Sequence, residues 1–510
     1  MTDATIDNIA APTGGVARAL VAAPIGLATF VAILALAAFA VRLGLVGDDT
    51  LRLWAGASTA ADGEVPIGRI VAAYPTLPFT ITTLVAWLAP ADAPAPALVA
   101  AALLAVFAAS CFLLFRKAGL PAIAAIFSTI LVAFHPALLR AVVAGPGDMF
   151  LAVFLLMLCL GLYDLRARSS TSEVMNVGIA LMALAFSHPM GAAFAFAIIP
   201  FLGFVVRSNL VANSALNVII ALVFPTFFAI AAFSYVAWIF PGDGWTFFAA
   251  PAQSLATWTA SVEELIGDRF LAIPALEAGV TMGLALTIGA PVAIVLLVMV
   301  RRRRPLIVPA VAFAAAVLAA TAISVLSGIF GDPAAMVVAA PVLAAAVVTR
   351  VPVAHERLTL VITWLTVGWL GGFWSLAVAD PVTVSTLRAD FVHSADDSRI
   401  DALGAGGAAA GHDNVLVDVN NSPAFVLGRG SARGLLGPQS EAFALALLFA
   451  RIDAPFVAVP DPLSAAGAND RLDKAFPLLF SIGPPGYRVI YQNNTWRLFE
   501  RLNNGIVLHQ

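Results

Sequence analysis

The stretch that decides the fold is residues 43–97, LGLVGDDTLRLWAGASTAADGEVPIGRIVAAYPTLPFTITTLVAWLAPADAPAPA. It is the first long polar interruption in a very apolar chain, and it directly follows the first membrane-length apolar run. Its charged and aromatic members include Asp48, Asp49, Arg52, Arg69 and Tyr74. Carboxylates just outside a membrane helix, with cations and aromatic rings nearby, are what chemistry on a lipid head group needs. An ordinary extramembrane loop contains the same residue types, so the rest of the chain must decide between the two interpretations.

The composition defines the class of protein. Hydrophobic residues make up 61% of the chain and charged residues 11%, and the mean hydropathy is +0.96. A soluble domain is about half apolar and about a quarter charged, so these values predict a polytopic membrane protein. The net charge of −3, without a basic patch or a nucleic-acid motif, gives no indication of a nucleic-acid partner. Cys111 and Cys159 both lie inside apolar runs, which is typical of small core residues.

A helix needs about 20 apolar residues to cross the hydrocarbon core of a bilayer. After a polar segment, 1–21, that we expect to be disordered and cytoplasmic, the sequence contains eleven candidate spans. They are 22–42, 98–115, 120–139, 149–163, 174–187, 190–206, 213–239, 278–300, 306–328, 333–349 and 358–379. Their alternation from a cytoplasmic N-terminus puts the later basic clusters on the cytoplasmic side, as the positive-inside rule requires. Counting 76–90 as a further span would reverse that pattern, so we predict an interfacial helix there, bracketed by prolines.

This topology predicts that the transmembrane domain, 22–380, presents its long connections on the outer face. These outer features are the loop 43–97, the turn 139–148, the loop 241–274 and everything after residue 380. The cytoplasmic connections are short, so we expect any chemistry to take place on the outer face.

From Asp380 the composition becomes that of a soluble domain, and we predict a small extracytoplasmic α/β domain over 381–510. The predicted strands are 415–419, 456–459, 487–492 and 496–500, and the predicted helices are 440–452 and 468–476. A Gly/Ala stretch at 403–411 predicts a flexible linker.

Three acids are candidates for catalysis. A general base must be a carboxylate or a histidine within reach of the acceptor hydroxyl, and Asp48 or Asp49 fits that requirement. The second acid of the pair could then orient the acceptor or bind a divalent metal, and the sequence requires no cofactor. The alternative is that the pair only solvates its loop. Asp148 opens the fourth span, where it can cap the helix, and capping does not exclude a second role in a site.

Four arginines fall on the predicted outer face, where the positive-inside rule disfavours cations. They are Arg52, Arg69, Arg140 and Arg269. Arginine is suited to bidentate binding of phosphate, so we predict that at least one of them binds the phosphate of a lipid-linked donor.

Three further residues are candidates for binding the acceptor or the sugar. They are Tyr74, His188 and Trp245. His188 precedes a proline and could simply form a helix-breaking turn, and Trp245 could belong to an interfacial aromatic belt. The assigned spans contain no Asp, Glu, Lys or Arg in their interiors, and no internal repeat is evident. Both observations argue against an ion-coupled transporter.

The order of motifs over about residues 22–200 resembles the GT-C superfamily of polyprenyl-phosphate-sugar glycosyltransferases, which includes the protein O-mannosyltransferases and the aminoarabinose transferase of lipid A. An acid-first outer loop is followed by an aromatic-proline segment, a basic end to the second span, a His-Pro pair and a Gly-Asp start of the fourth span. These motifs are Gly47-Asp48-Asp49, Tyr74-Pro75-Thr76-Leu77-Pro78, Arg116-Lys117, His135-Pro136 and Gly147-Asp148.

The resemblance implies a GT-C-like helical core with outer-face interfacial helices, in a bacterial inner membrane. It implies transfer of a sugar from a polyprenyl-phosphate donor to a periplasmic lipid, glycan or protein acceptor. Asp48 or Asp49 would match the catalytic acid of the first outer loop, and Asp148 the second acidic position. The sequence departs from the family where it has Asp-Asp in place of Asp-Glu, and His188 in place of a lysine-containing turn. A non-catalytic membrane scaffold that binds a partner is the main alternative, and a lipid-glycan transporter or polymerase is the third.

Overall fold

The computed structural model describes residues 15–42, 47–65, 70, 72–90, 93–168, 170–206, 208–240, 274–351, 358–380, 397–438, 440–464 and 466–502. It is mostly helical, with one small sheet near the C-terminus. The helices of the first part are α1 (Gly15–Arg42), α2 (Asp48–Ala61), α3 (Thr76–Leu88), α4 (Ala95–Lys117), α5 (Ala122–Ala133), α6 (Pro136–Ala144), α7 (Pro146–Ala167), α8 (Thr171–Ser187), α9 (Pro189–Ala197), α10 (Ile199–Val205), α11 (Ser208–Ile239), α12 (Pro274–Gly289), α13 (Pro291–Met299), α14 (Arg304–Ser327), the 3₁₀ helix Pro333–Val338, α15 (Ala339–Arg350) and α16 (Leu358–Ala379).

The polytopic helical architecture is confirmed, but the predicted count of eleven spans is not. Within the described residues, six helices are long and apolar enough to cross a membrane, or eight if two bent pairs each count as one span. The pair α5 and α6 bends by 52°, and the pair α12 and α13 bends by 80°. The predicted span 190–206 is divided between the short helices α9 and α10.

Prolines explain most of these breaks. The helices α6, α7, α9 and α13 each begin with a proline. Proline lacks an N–H group and disfavours helical backbone in the preceding residue, so it ends one helix and starts the next. His135 and His188 stand just before two of these prolines, and each uses Nδ1 to accept a hydrogen bond from a backbone N–H of the new helix.

The polar stretch after the first apolar run forms two helices, α2 and α3. The predicted short helix over 76–90 is confirmed as α3, and its location at a membrane interface stays a prediction. The N-terminal end of α2 is attached to the turn between α6 and α7, where Thr50 Oγ1 donates to the carbonyl of Ala144 at 2.7 Å. A Cβ on Gly145 would lie 2.8 Å from that hydroxyl, and Gly145 has a φ of +117°, so this close approach needs glycine.

The C-terminal part forms the predicted α/β module. Its elements are α17 (Asp397–Ala408), β1 (Val415–Leu416), α18 (Pro423–Arg429), β2 (Leu435–Leu436), α19 (Glu441–Phe449), β3 (Phe456–Pro460), the 3₁₀ helix Gly467–Asn469, α20 (Arg471–Ala475), α21 (Leu479–Ile482), β4 (Tyr487–Gln492) and β5 (Trp496–Arg501). The strand order is β2-β1-β3-β5-β4, with β2, β1 and β3 parallel and the last two strands antiparallel. Four predicted strands and two predicted helices are found, although β1 and α20 are shorter than expected.

The predicted flexible linker at 403–411 is wrong, because helix α17 continues through Ala408. Its glycines let two backbones meet. A Cβ on Gly406 would lie 2.1 Å from the carbonyl oxygen of Phe425, and one on Gly428 would lie 2.1 Å from that of Leu403. The small residues therefore allow α17 to pack closely on α18, and they do not loosen the chain.

The C-terminal domain packs on helix α2. Ala55 of α2 is part of the same buried cluster as Phe425 and Trp496 of the domain. At the end of α2, Asp62 accepts hydrogen bonds from Ser431 Oγ at 2.9 Å and from the Ala432 N–H at 2.7 Å. Helix α2 thus connects the membrane helices to the soluble domain.

A cluster of aspartates is buried beside the carboxyl ends of β1 and β3. Asp470 is fully buried and Asp473 is 5% exposed; Asp470 Oδ2 and both carboxyl oxygens of Asp473 accept no hydrogen bond. Burial raises the pKa of Asp470 to about 6, with nearby Asp418 acting in the same direction. Burial also raises the pKa of Asp473 to about 7, with Asp470 and Asp461 acting in the same direction. The folded domain therefore binds protons that the unfolded chain releases above about pH 4.

These raised pKa values predict that the domain loses stability as pH rises through about 6 to 7, and gains stability on acidification toward pH 5. Calorimetry of the full-length protein should give a higher Tm for this domain at pH 5 than at pH 8. Asp473→Asn should flatten the dependence, whereas Glu441→Gln, which changes an exposed acid, should leave it as in the wild type. An equal Tm at both pH values would contradict the prediction.

Candidate functional site

A cavity of about 460 Å³ opens at one end of the helical bundle, which we call the cavity end. Its polar side chains come from six separate segments of the chain. The ionisable side chains among them are Asp49, Arg52, Tyr74, Arg140, Asp148, His188 and Asp332. This volume lies within the range of about 300–1,000 Å³ that is typical of small-molecule sites.

Helix α7 places an aspartate that pairs with an arginine at each end of the bundle. Helix α7 carries Asp148 in its first turn and Asp164 near its last, about 24 Å apart along the helix. Asp164 pairs with Arg350 at 2.6 Å, and Arg166 donates to the carbonyls at the end of α10. The described site residues that the alternation assigns to the outer face thus share one end, and two of the basic residues it assigns to the cytoplasm, Arg166 and Arg350, lie at the other.

Arg140 on α6 is the centre of the site. Its Nε donates to Asp380 Oδ2 at 2.8 Å, and its Nη1 contacts Asp148 Oδ2. Its Nη2 lies 3.7 Å from Asp332 Oδ2. The Arg140 side chain is only 9% exposed, so these carboxylates, not water, compensate the buried guanidinium charge.

His188 and Asp148 form a second contact in the cavity wall. His188 Nε2 lies 3.1 Å from Asp148 Oδ1, while Nδ1 accepts from the Met190 N–H at 3.0 Å. Because Nδ1 is an acceptor, the ring proton of neutral His188 resides on Nε2 and is donated to the carboxylate. His188 therefore has the predicted turn position and also orients Asp148. The side-chain hydrogen bonds of Asp148 go to Arg140 and His188 and not to the N-terminus of its own helix.

Asp49 and Arg52 reach the cavity from α2, one helical turn apart. Both side chains are exposed, and neither forms an ion pair within the described part of the chain. Tyr74 lines the same cavity and donates its hydroxyl to the Ala185 carbonyl of α8 at 3.0 Å. The structure thus brings together six of the ten predicted site residues.

The other predicted residues are outside what the structure describes. Arg69, Trp245 and Arg269 lie outside the described residues, and the side chain of Asp48 is not described. Their proposed roles stay predictions.

The structure adds two acids to the site, Asp332 and Asp380. Each precedes a proline, on the side that alternation assigns to the outer face: Asp332 stands just before the predicted span 333–349, and Asp380 just after the span 358–379. This Asp-Pro signal was available in the sequence, but it does not show that both acids converge on an arginine far away in the chain. Among the described residues, no three His, Cys, Asp or Glu side chains form a group that could hold a metal ion.

Comparison with models of protein families gives no match, and a search of curated proteins gives none either. The GT-C resemblance therefore rests on the motifs of the sequence alone.

Removing the central cation should unfold the site. Arg140→Gln leaves Asp148 and Asp380 buried without their partner, and breaking such a pair costs about 3–5 kcal/mol. Thermal unfolding of the purified protein should show a large loss of Tm for this variant. Arg52→Gln, which changes an exposed arginine of the same cavity, should change stability by no more than about 0.5 kcal/mol. Equal Tm values for the two variants would show that the ion-pair cluster is not structurally important.

Proposed function

We propose that this chain is a bacterial inner-membrane glycosyltransferase that moves a sugar from a polyprenyl-phosphate donor to an acceptor on the periplasmic side. The observation that carries the proposal is the convergence of Asp49 and Arg52 with Asp148 and His188 in one cavity at the cavity end. The GT-C-like order of motifs supports the same class of reaction. Small polar groups in a largely apolar cavity suit a substrate that joins a sugar phosphate to a lipid tail.

Arg52 is the best placed of the described arginines to bind the donor phosphate. It is exposed at the cavity and free of ion pairs in the described residues, so its guanidinium can approach a phosphate directly. Arg140 also lines the cavity, but three carboxylates already surround it. Its predicted role as a phosphate ligand is therefore the weaker of the two.

In the proposed reaction the acceptor hydroxyl attacks the anomeric carbon of the donor. The new C–O bond forms as the bond between the anomeric carbon and the phosphate oxygen breaks, and the lipid phosphate leaves with the electron pair. Direct displacement inverts the anomeric configuration. Asp49 contacts the acceptor hydroxyl, and a cavity carboxylate takes its proton.

The test uses the purified protein in nanodiscs with radiolabelled polyprenyl-phosphate sugars and the membrane lipid fraction as acceptor. Asp49→Asn should lower transfer by about 100-fold, because it removes the carboxylate that holds the acceptor hydroxyl in place. Arg52→Gln should weaken binding of polyprenyl monophosphate by at least about tenfold, as expected for loss of a charge-assisted hydrogen bond. Arg451→Gln, at an exposed position of the C-terminal domain, is the matched control and should change neither quantity.

The scaffold alternative predicts the opposite pattern. Replacing both Asp48 and Asp49 by alanine would then leave function intact, whereas deleting 381–510 would abolish it. Full transfer activity in the Asp49→Asn variant together with an unchanged phosphate affinity in Arg52→Gln would refute the transferase proposal.

A further inference from the structure

The cluster around Arg140 contains more negative than positive charge. Three carboxylates, those of Asp148, Asp332 and Asp380, surround a single guanidinium. His188 contacts the same cluster through Nε2, which lies 3.1 Å from Asp148 Oδ1. Carboxylates this close together disfavour one another's charge, so the acid that is bound least directly to Arg140 takes up a proton most readily.

Geometry identifies Asp332 as that carboxylate. Asp148 and Asp380 bond directly to Arg140, whereas Asp332 Oδ2 is 3.7 Å from it. The side chain of Asp332 is 32% exposed, compared with 9% for Asp148 and 1% for Asp380. Asp332 is thus the acid of the cluster that an incoming substrate can reach.

The backbone holds Asp332 in this orientation. Its Oδ1 accepts from the Ala334 N–H at 2.8 Å and caps the 3₁₀ helix that follows. Ser324 Oγ donates to the carbonyl of Gly331 at 2.7 Å, which fixes the short connection between α14 and that helix. With Oδ1 occupied, Oδ2 is left to face Arg140 and the cavity.

The environment of Asp332 gives it the basicity of a neutral-pH proton acceptor. Burial and the nearby negative charge of Asp380 raise its pKa to about 7, against the opposing effect of Arg140. The other ionisable groups that line the cavity or the cluster are Asp49, Arg52, Tyr74, Asp148 and His188. A general base is most effective when its pKa is close to the working pH.

We propose that Asp332 Oδ2 is the proton acceptor for the acceptor hydroxyl, and that the substrate which reacts at this cavity is an alcohol. This inference rests on the proposed function. As the hydroxyl oxygen bonds to the anomeric carbon, its proton passes to Asp332 and the lipid phosphate leaves. Protonation lowers the repulsion between Asp332 and the neighbouring carboxylates, and Asp332 then returns the proton to water through the cavity opening. Asp49 orients the acceptor at the rim.

The first experiment measures the pH profile of transfer by the full-length protein. The wild-type kcat should fall below about pH 7 as Asp332 becomes protonated. Asp332→Asn should lower kcat by at least about 100-fold, with little change in the donor KM, and should abolish the fall in kcat below about pH 7. Asp332→Glu retains a carboxylate and should restore part of the rate and the fall in kcat at acidic pH. Asp413→Asn, which changes an exposed acid of the C-terminal domain, should match the wild type.

The second experiment needs no turnover. The difference between the infrared spectra of the full-length wild type and of Asp332→Asn should contain a carboxylic-acid C=O band that titrates near pH 7. This subtraction removes the bands of Asp470 and Asp473, which both proteins share. A wild-type kcat and pH profile in Asp332→Asn, with transfer still dependent on Asp49, would overturn this inference and leave the transferase proposal intact. Equal rates in the Asn and Glu variants, or an absent infrared band, would also overturn it. Absence of wild-type transfer from every donor would overturn both proposals.

Discussion

The site depends on the ion pairs of one buried cation. Arg140 joins α6, the first turn of α7, the connection before the 3₁₀ helix Pro333–Val338 and the end of α16. In a low-dielectric environment an unpaired guanidinium is very costly, so these four segments must meet wherever Arg140 is placed. The pairing therefore sets the shape of the cavity wall and also decides which acid of the cluster stays partly exposed. A residue that the sequence suggests as a ligand for phosphate is, in the fold, mainly an organiser of carboxylates.

Broken helices make this arrangement possible. A straight helix would continue along one axis past the start of α7. The bend between α5 and α6 instead places Arg140 next to Asp148 in the first turn of α7. His135 and His188 stabilise two of the breaks by accepting from freed backbone N–H groups. At the second break the same imidazole reaches Asp148, so the element that ends a helix also orients a side chain of the cavity.

Helix α2 links the two parts of the molecule. Its first turn carries Asp49 at the cavity and is held by Thr50. Ala55, in the middle of the helix, and Asp62, just after its end, contact the C-terminal domain. The soluble domain therefore contributes to the position of the candidate acid although it supplies no side chain to the cavity within the described residues. The contact with α2 thus gives the C-terminal domain a structural role beside the membrane helices.

The sequence by itself determined the class of protein, four of the five strands and two of the helices of the C-terminal domain, and the candidate residues of the acid-first stretch. These features depend on local composition and periodicity, which are properties of short segments. The number of spans was not predictable in the same way, because apolar runs such as 190–206 look continuous while their prolines divide them. Only the tertiary structure decided that Asp332 and Asp380 belong to the site and that Arg140 is enclosed by carboxylates. Those contacts join residues up to 240 positions apart, and no local pattern encodes which distant charge will neutralise a buried one.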